Sequence, residues 1–500
     1  MKAFRLLLLL SAALAACTAT RQGSNAAPDA MLQFYQINDV YEIAPVQGGA
    51  AGGMARVATQ IKALKAAHPA TYSVIAGDFY SPSVIGTCKW EGKRIYGAHM
   101  VDVLNVAGMD LATFGNHEFD IPEGDVLARL RESEFAYVSA NVLYQTAGGR
   151  VPFRSGQAQE AVLPYKIISV PGAGGKTWQV GVIGVTLPFN QQPYVWYDDM
   201  YASVKRVYDQ IEPETDAVVA ITHLNIDEDR ELARRVPGLA LIMGGHEHEL
   251  HSEKVGRVFI AKADANARTA WVHQLKFSEK GVTLSSEVKQ VNAGTPEDPA
   301  TAEAVKKWET RAYQGFIDQG FDLYKPVATF DTPLDGLEAH IRTQPTNLGT
   351  LIAQSMSEVA GTPIAVVNSG SVRIDDYLSG EIREFDLIRA LPFGGSVQVV
   401  EMKGRLLIQT LETGLSNTGK GGYLQTFGVQ KTATGWNAGG AAIDPAKTYA
   451  VAISDFLMTG REANLGFLTP ENPDVVKVTL AAKESPLTDI RKTVIAYLRK

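Results

Sequence analysis

Metal-ligating side chains follow a series of short apolar runs in the first half of the 500-residue chain. Each run is followed within a few residues by a polar group: Asn38-Asp39, Gly77-Asp78, Gly115-Asn116-His117-Glu118, Thr222-His223 and Gly244-Gly245-His246-Glu247-His248. Carboxylate, amide and imidazole donors of this kind suit Zn, Mn, Fe or Co better than Ca. A carboxylate can bridge two such ions about 3.5–4 Å apart, and the pair can clamp a phosphoryl group during in-line attack. Any one group alone is typical of an ordinary turn, so the prediction of metal chemistry depends on the whole series.

The apolar runs that precede these groups have the character of buried β-strands. They are short and several are rich in β-branched residues: 32–37, 72–76, 111–114, 135–138, 180–185, 217–221 and 239–243. Helix-like stretches such as 53–67 and 204–211 lie between them, which is typical of an α/β fold. Because ligand sites in such sheets form beyond the carboxyl ends of strands, we expect the polar groups to converge.

Length and composition limit the remaining possibilities. Five hundred residues exceed one ordinary core, and 45% hydrophobic with 20% charged residues excludes a mainly disordered chain or a polytopic membrane protein. The net charge of −7 argues against a nucleic acid polymer as partner, and two cysteines exclude a disulfide scaffold. We expect a first domain over residues 31–295, a helical connector over 296–325 and a second α/β domain over 326–500.

The N-terminus has the features of an export signal. Lys2 and Arg5 precede an apolar stretch that is too short to span a bilayer. Its end, Leu14-Ala15-Ala16-Cys17, resembles the bacterial lipoprotein box, which implies that Cys17 becomes the lipidated first residue. We therefore expect a lipoprotein signal peptide over 1–16, a tether over 17–30, and a periplasmic or cell-surface protein that contacts the membrane only through Cys17. A plain signal peptide is the alternative.

Taken together, the ordered groups resemble the calcineurin-like metallophosphoesterases, specifically the bacterial 5′-nucleotidase family. The resemblance extends from residue 31 to the C-terminus. It implies an α/β (α+β overall) architecture, with an N-terminal β-sandwich flanked by helices and a smaller α/β substrate-binding domain. It also implies two sets of metal ligands: Asp39 and His248 for the first ion, Asn116, His223 and His246 for the second, and Asp78 bridging both.

The same resemblance assigns a catalytic role to a histidine that is not a ligand. His117 would face the phosphate and stabilise charge in the transition state, oriented by Asp120 three residues later. A carboxylate beside an imidazole favours the charged imidazolium, which suits this role. The alternative for Asp120 is an ordinary helix N-terminal cap.

The first polar group departs from the family pattern. The family usually has Asp-x-His here, with the histidine on the first metal, whereas this chain has Tyr41. Tyr41 either packs while water or Glu42 completes the site, or marks a damaged site in a non-catalytic binder, or ligates the metal. In the last case the ligand set resembles that of purple acid phosphatases, in which tyrosinate binds ferric iron.

The second half contains stretches that resemble the 5′-nucleotidase C-terminal domain. By this resemblance Arg342 and Arg373 contact the phosphate side of a nucleotide, and Asn368 contacts its base or ribose. Arginine suits phosphate because its planar guanidinium donates paired hydrogen bonds. Phe393 and Phe456 would stack on the two faces of the base.

A second departure concerns recognition of the sugar. Many relatives have Gly-Gly-Asp-Gly-Phe after the second phenylalanine, and its aspartate holds the ribose hydroxyls. Here Glu462 stands near that place, one methylene longer, and Arg461 adds a bulky cation. The substrate is therefore open between a nucleoside monophosphate, a nucleotide-sugar, a cyclic nucleotide and another phosphoester.

The sequence thus predicts a phosphoric ester hydrolase. We expect two divalent ions (Zn, Mn, Co or Fe) and hydrolysis of nucleotides to phosphate and nucleoside, as in nucleotide catabolism. One alternative is a cyclic-nucleotide phosphodiesterase or nucleotide-sugar pyrophosphatase that uses the same site. The alternative from another class is a surface lipoprotein that binds nucleotide or metal without turnover. The sequence leaves the oligomeric state open.

Overall fold

A computed structural model describes residues 29–189 and 191–500, so the predicted signal peptide, most of the tether and Cys17 lie outside the described residues. Two six-stranded sheets form the first half of the molecule. In spatial order, the first sheet contains Gly281–Gln290, Thr269–Ser278, Ala30–Ile37, Thr71–Ala76, Leu111–Thr113 and Ala136–Tyr137. The second contains Tyr165–Pro171, Thr177–Thr186, Ala217–His223, Leu241–Gly244, Val258–Lys262 and His251–Val255.

The two sheets pack face to face and share one apolar core. Leu32 and Val74 of the first sheet lie in the same buried cluster as Val182, Ile221 and Met243 of the second. Strands buried on both faces need nearly continuous apolar runs, which explains the composition of these segments. This arrangement confirms the predicted β-sandwich.

Parallel pairing at the centre of each sheet sets the direction of the strands. Ala30–Ile37, Thr71–Ala76 and Leu111–Thr113 pair in parallel in the first sheet. Thr177–Thr186, Ala217–His223, Leu241–Gly244 and Val258–Lys262 do so in the second. The carboxyl ends of these strands therefore meet at one edge of the sandwich, where the polar groups follow them.

Helices flank the sandwich. They are Met54–Ala67, Val84–Thr87, Ala98–Ala107, Glu123–Glu132, Met200–Ile211 and Ile226–Arg235. The helix Ile226–Arg235 begins with a capping box between Asn225 and Glu228 and ends with two arginines, as the helix dipole favours. Smaller strands complete this half: Lys89–Trp90 with Lys93–Arg94, Arg154–Ser155 with Glu160–Ala161, and Val195–Tyr197 with Val142–Thr146 and Gly149–Val151.

A single long helix, Pro299–Asp318, joins the two halves. Asp298 caps its first turn and Pro299 occupies a position where no amide hydrogen bond is lost. It buries Ala312 and Phe316 in an apolar cluster that continues into the second half at Leu348. The halves thus share a continuous core across this connector.

The second half is a smaller α/β unit around a five-stranded mixed sheet. Its strands, in spatial order, are Leu424–Phe427, Ile364–Asn368, Thr448–Ser454, Val397–Lys403 and Val475–Thr479. Two small sheets accompany it: Pro326–Asp335 with Tyr377–Arg383, and Val429–Thr432 with Gly435–Ala438 and Ala441–Ala442. Its helices are Glu338–Ile341, Asn347–Ala360, Glu384–Ala390, Gly404–Ser416 and Ile490–Leu498. Among all described residues, no helix combines the length and apolar character needed to cross a membrane.

Candidate active site

Four predicted metal ligands meet at the edge of the sandwich. Asp78, His223 and His246 each offer one ligand atom, and these atoms lie within 4.8 Å of one another. The side-chain oxygen of Asn116 lies between the two imidazoles, 3.2 Å from His223 Nε2 and 3.1 Å from His246 Nδ1. The structure therefore brings together all the residues assigned to the second ion, although they come from four different strand ends.

The chemistry of this donor set fits a divalent cation. His223 Nδ1 lies 2.8 Å from the backbone carbonyl of Ala76, so Nε2 is the nitrogen that faces Asp78, at 3.1 Å. Burial opposes a charge on His223, but the carboxylates of Asp78 and Asp39 raise its pKa to about 9. The carboxylates of Asp78 and Asp39 thus favour a positive charge beside His223. A bound metal ion supplies that charge.

The backbone at the ligands adopts an unusual conformation. The φ angles of Asp39, Asp78, His246 and His248 are 52°, 55°, 90° and 61°, in the left-handed region that non-glycine residues seldom adopt. Such positions cost about 1–3 kcal/mol each and are typical of functional sites. Gly115 shows how tight the turns are, because a Cβ there would lie 2.1 Å from Asp78 Oδ1.

Glu118, within the third polar group, links two of the ligand loops. Its buried carboxylate accepts hydrogen bonds from the backbone amides of Asp78 at 2.9 Å, Phe79 at 2.7 Å and Tyr80 at 3.1 Å. It also accepts one from the amide of Gly115. Burial raises the pKa of Glu118 to about 7, with Asp78 adding to the effect. The sequence motif contained this residue, but nothing in the spacing revealed that it holds the loops of Asp78 and Asn116 together.

The Tyr41 hydroxyl lies among the residues assigned to the first ion. It is 3.3 Å from Asp39 Oδ1, 3.3 Å from Asp78 Oδ2 and 2.9 Å from His248 Nε2. Burial, followed by the two carboxylates, holds the pKa of Tyr41 well above its usual value. Glu42 has different charged neighbours. Its pKa is affected by Arg389 and Glu309 and not by the residues assigned to the first ion.

His117 and Asp120 form a pair at the mouth of this cluster. His117 Nδ1 lies 2.5 Å from Asp120 Oδ2, and the backbone amide of His117 donates to Asp78 Oδ1 at 2.8 Å. The next helix, Glu123–Glu132, begins after Pro122, so Asp120 is not its N-terminal cap. The exposed Phe189, which the sequence did not single out, lies with its ring 6.1 Å from the imidazole of His117.

The second half of the chain contacts this site directly. Arg373 Nη2 lies 3.2 Å from His117 Nε2, on the side opposite Asp120. Two carboxylates that the sequence did not single out face His248 Nδ1: Asp375 at 3.4 Å and Glu338 at 4.0 Å. Glu338 also pairs with Arg342 at 2.8 Å and with Arg373 at 3.7 Å. Both predicted phosphate-binding arginines thus lie beside the metal-binding edge.

The remaining predicted substrate residues lie on neighbouring loops of the second half. Asn368 Nδ2 donates to Glu462 at 2.7 Å, which joins the two residues expected to hold ribose or base. Phe393 and Phe456 are 45% and 43% exposed, unlike most large apolar side chains. Their loops are joined by Asp455, which accepts hydrogen bonds from the amide and hydroxyl of Ser396 at 2.7 and 2.8 Å.

Fold and site together define a class of protein. Residues 32–250 match the model of the calcineurin-like phosphoesterases, and residues 326–467 match the 5′-nucleotidase C-terminal domain. The chain is therefore a phosphoric ester hydrolase of the calcineurin-like class, a class that uses divalent metals. This match confirms the predicted resemblance and enzyme class.

The proteins to which the chain is similar include 5′-nucleotidases. The chain is 28% identical over 447 residues to the trifunctional nucleotide phosphoesterase protein YfkN of Bacillus subtilis, covering 77% of this chain but 29% of that protein. It is 26% identical over 422 residues to human 5′-nucleotidase, covering 76% and 69%. In fold it is similar to a 5′-nucleotidase precursor from Thermus thermophilus, with a TM-score of 0.74, 24% identity and coverage of 94% and 96%. The chain therefore has the domain composition of the 5′-nucleotidases, a calcineurin-like phosphoesterase domain followed by a 5′-nucleotidase C-terminal domain.

Proposed function

We propose that this protein is a metal-dependent 5′-nucleotidase that hydrolyses nucleotide phosphoesters to phosphate and nucleoside. One observation carries the proposal: Asp78, Asn116, His223 and His246 form a cluster beside His117, whose Nε2 faces Arg373 of the second half. A metal cluster next to a cationic side chain and an oriented imidazole suits a phosphoryl group.

Two ions are held in this proposal by seven side chains. Asp78, Asn116, His223 and His246 would hold the second ion, and Asp39, Tyr41, His248 and Asp78 would hold the first. Tyr41 is included because its hydroxyl lies 2.9–3.3 Å from atoms of all three of the other first-ion ligands. A pair of divalent ions, when bound, supplies Lewis acidity and lowers the pKa of a bound water toward about 7.

His117 acts on the phosphoryl group rather than on a metal. Asp120 fixes the orientation of the ring through Nδ1, so that Nε2 is directed to the substrate side. There it stabilises charge that develops on the phosphoryl oxygens. The backbone amide of His117 donates a hydrogen bond to Asp78, and this bond fixes the position of His117 relative to the metal ligands.

The second half selects the substrate. Arg342 and Arg373 bind the phosphate side, since their guanidinium groups lie next to the metal-binding edge and share the partner Glu338. Asn368 binds the base or the ribose, Glu462 binds the ribose, and Phe393 and Phe456 stack on the base. We further propose that Cys17 anchors the exported protein to a bacterial membrane.

Hydrolysis of cyclic nucleotides or nucleotide-sugars is a second candidate activity. The name of the Bacillus subtilis relative, a trifunctional nucleotide phosphoesterase, favours breadth of substrate, although this chain spans 29% of that protein's length. Glu462 and Arg461 in place of the usual motif change the contact with the sugar rather than with the phosphate, so they do not favour a monophosphate over these esters.

A hydrolysis panel tests both activities. AMP and other nucleoside monophosphates, cyclic nucleotides and UDP-glucose are incubated with Mn, Zn, Co and Fe, with His117→Asn as the control. Free phosphate is measured for the monophosphates, and chromatography measures the monophosphates formed from cyclic nucleotides and UDP-glucose. We expect hydrolysis of at least one substrate class that depends on metal and on His117. A protein that binds fewer than two metals and hydrolyses none of these substrates is instead a non-catalytic binder.

A further inference from the structure

Lys262 is a buried cation that the proposed mechanism does not use. It ends the strand Val258–Lys262 in the second sheet, and its side chain is 1% exposed. Lysine is almost never fully buried unless it is paired, because removing an ammonium group from water costs several kcal/mol. The position of this lysine behind the histidine ligands therefore requires an explanation.

The ammonium group bonds to both loops that carry the histidine ligands. Nζ donates to the backbone carbonyl of Leu224 at 2.6 Å and to that of Gly245 at 2.8 Å. Leu224 directly follows His223, and Gly245 directly precedes His246. One side chain therefore fixes the separation of two ligands that lie on different strands.

The anionic partners of Lys262 bind the same two loops. Asp229 lies 2.9 Å from Nζ and accepts a hydrogen bond from the hydroxyl of Thr222 at 2.7 Å, next to His223. Glu247, between His246 and His248, pairs with Nζ and accepts the backbone amide of Ile226. The network is thus closed, with each anion connecting the lysine to a ligand loop.

The neighbouring strand leaves space for this lysine. Gly244 lies opposite Lys262 in the parallel ladder, and a Cβ there would lie 3.0 Å from Lys262 Cε and 3.1 Å from Asp229 Oδ2. With a larger residue at this position, the side chains of Lys262 and Asp229 would have to shift by a few tenths of an ångström. The absence of a side chain at Gly244 therefore leaves room for Lys262 behind the site.

We propose that Lys262 is a positioning residue of the second metal site, which sets the distance between His223 and His246 and thereby the affinity for the ion. The inference rests on the proposed function, because it requires a metal between these histidines. Residues that orient ligands without touching the metal typically change affinity by roughly 10–100-fold.

Metal titration of the full-length protein tests this role. Chelator-treated protein is titrated with Mn²⁺ against a competing chelator, and bound Mn²⁺ is counted by electron paramagnetic resonance. Wild type should bind two equivalents, and Lys262→Met should weaken one of them by roughly 10–100-fold. The double variant Lys262→Met/Asp229→Asn, which leaves no unpaired charge on Asp229, should show the same loss and serves if the single variant does not fold.

Arg129 provides the matched control. This buried guanidinium also donates to two backbone carbonyls, those of Ile95 and Tyr96 at 3.0 Å each, and pairs with Glu132, but it bonds to neither histidine loop. Arg129→Met should lower the melting temperature without changing Mn²⁺ affinity. A lysine variant that likewise loses only stability overturns the positioning role while the two-metal function stands. Wild type that binds no Mn²⁺ overturns both.

Discussion

The metal-binding edge and the substrate-binding loops are built in opposite ways. Asp39, Asp78 and His223 are 0–1% exposed and fixed by hydrogen bonds to neighbouring loops. Phe393 and Phe456, by contrast, are 45% and 43% exposed at loop positions. In the proposed function, burial therefore preorganises the reacting centre, whereas the aromatic pair proposed to stack on the base is accessible to solvent.

Removal of the metals should have the largest effect on the buried region. Chelation is expected to abolish phosphate release, and re-addition of a divalent ion should restore it. The melting temperature should also fall, since a ligand at a thousandfold excess over its Kd stabilises the native state by about 4 kcal/mol. Paired activity and calorimetry measurements check this. Unchanged turnover after complete demetallation would contradict the assignment of the site.

Replacing the oriented imidazole is the next largest test. His117→Asn should lower kcat by roughly 10²–10³-fold, because one positioned donor directed at developing charge contributes about that much. Metal content should be unchanged, as His117 is not a ligand in this assignment. Steady-state kinetics and metal analysis are performed on the same sample. Retained full activity would remove His117 from the mechanism.

Tyr41→Phe tests whether the Tyr41 hydroxyl binds the first metal ion. The change removes one oxygen and little volume, so the fold should persist. We expect affinity for one metal equivalent to fall by at least roughly tenfold, comparable with loss of an orienting partner. Iron-loaded wild type should absorb visible light through its tyrosinate, and the variant should be colourless. An iron-loaded wild type that is colourless and fully active would restrict Tyr41 to packing.

Phe456→Ala probes the exposed region and should have the smallest effect. Base stacking on an aromatic side chain contributes about 1–3 kcal/mol, so KM for AMP should rise by roughly 5–100-fold with little change in kcat. Glycerol phosphate, which has no base, is the control substrate and should be unaffected. Phe393→Ala is the matched variant. An equal loss on both substrates would point to a structural role instead.

The sequence was sufficient for the sheets and the ligand series because both depend on local pattern. Alternating apolar runs predicted buried strands in an α/β fold, and ligand-type residues at strand ends predicted which side chains would converge. The sandwich itself was implied by the resemblance to the phosphoesterases. Asp375 and Glu338 were not predictable in this way. They contact His248 from the other half of the chain, and the spacing of apolar residues along the sequence does not indicate such distant contacts. The role of Lys262 was not predictable either, since its partners lie in the loops that follow two other strands.

The left-handed backbone at Asp39, Asp78, His246 and His248 affects the outcome of selection for thermal stability. Glycine would relieve the torsional cost at each position, so a screen that rewards thermal tolerance of the metal-free chain should select against the ligands themselves. The four residues therefore trade stability for function. Directed evolution for heat resistance should retain them only when turnover is part of the selection.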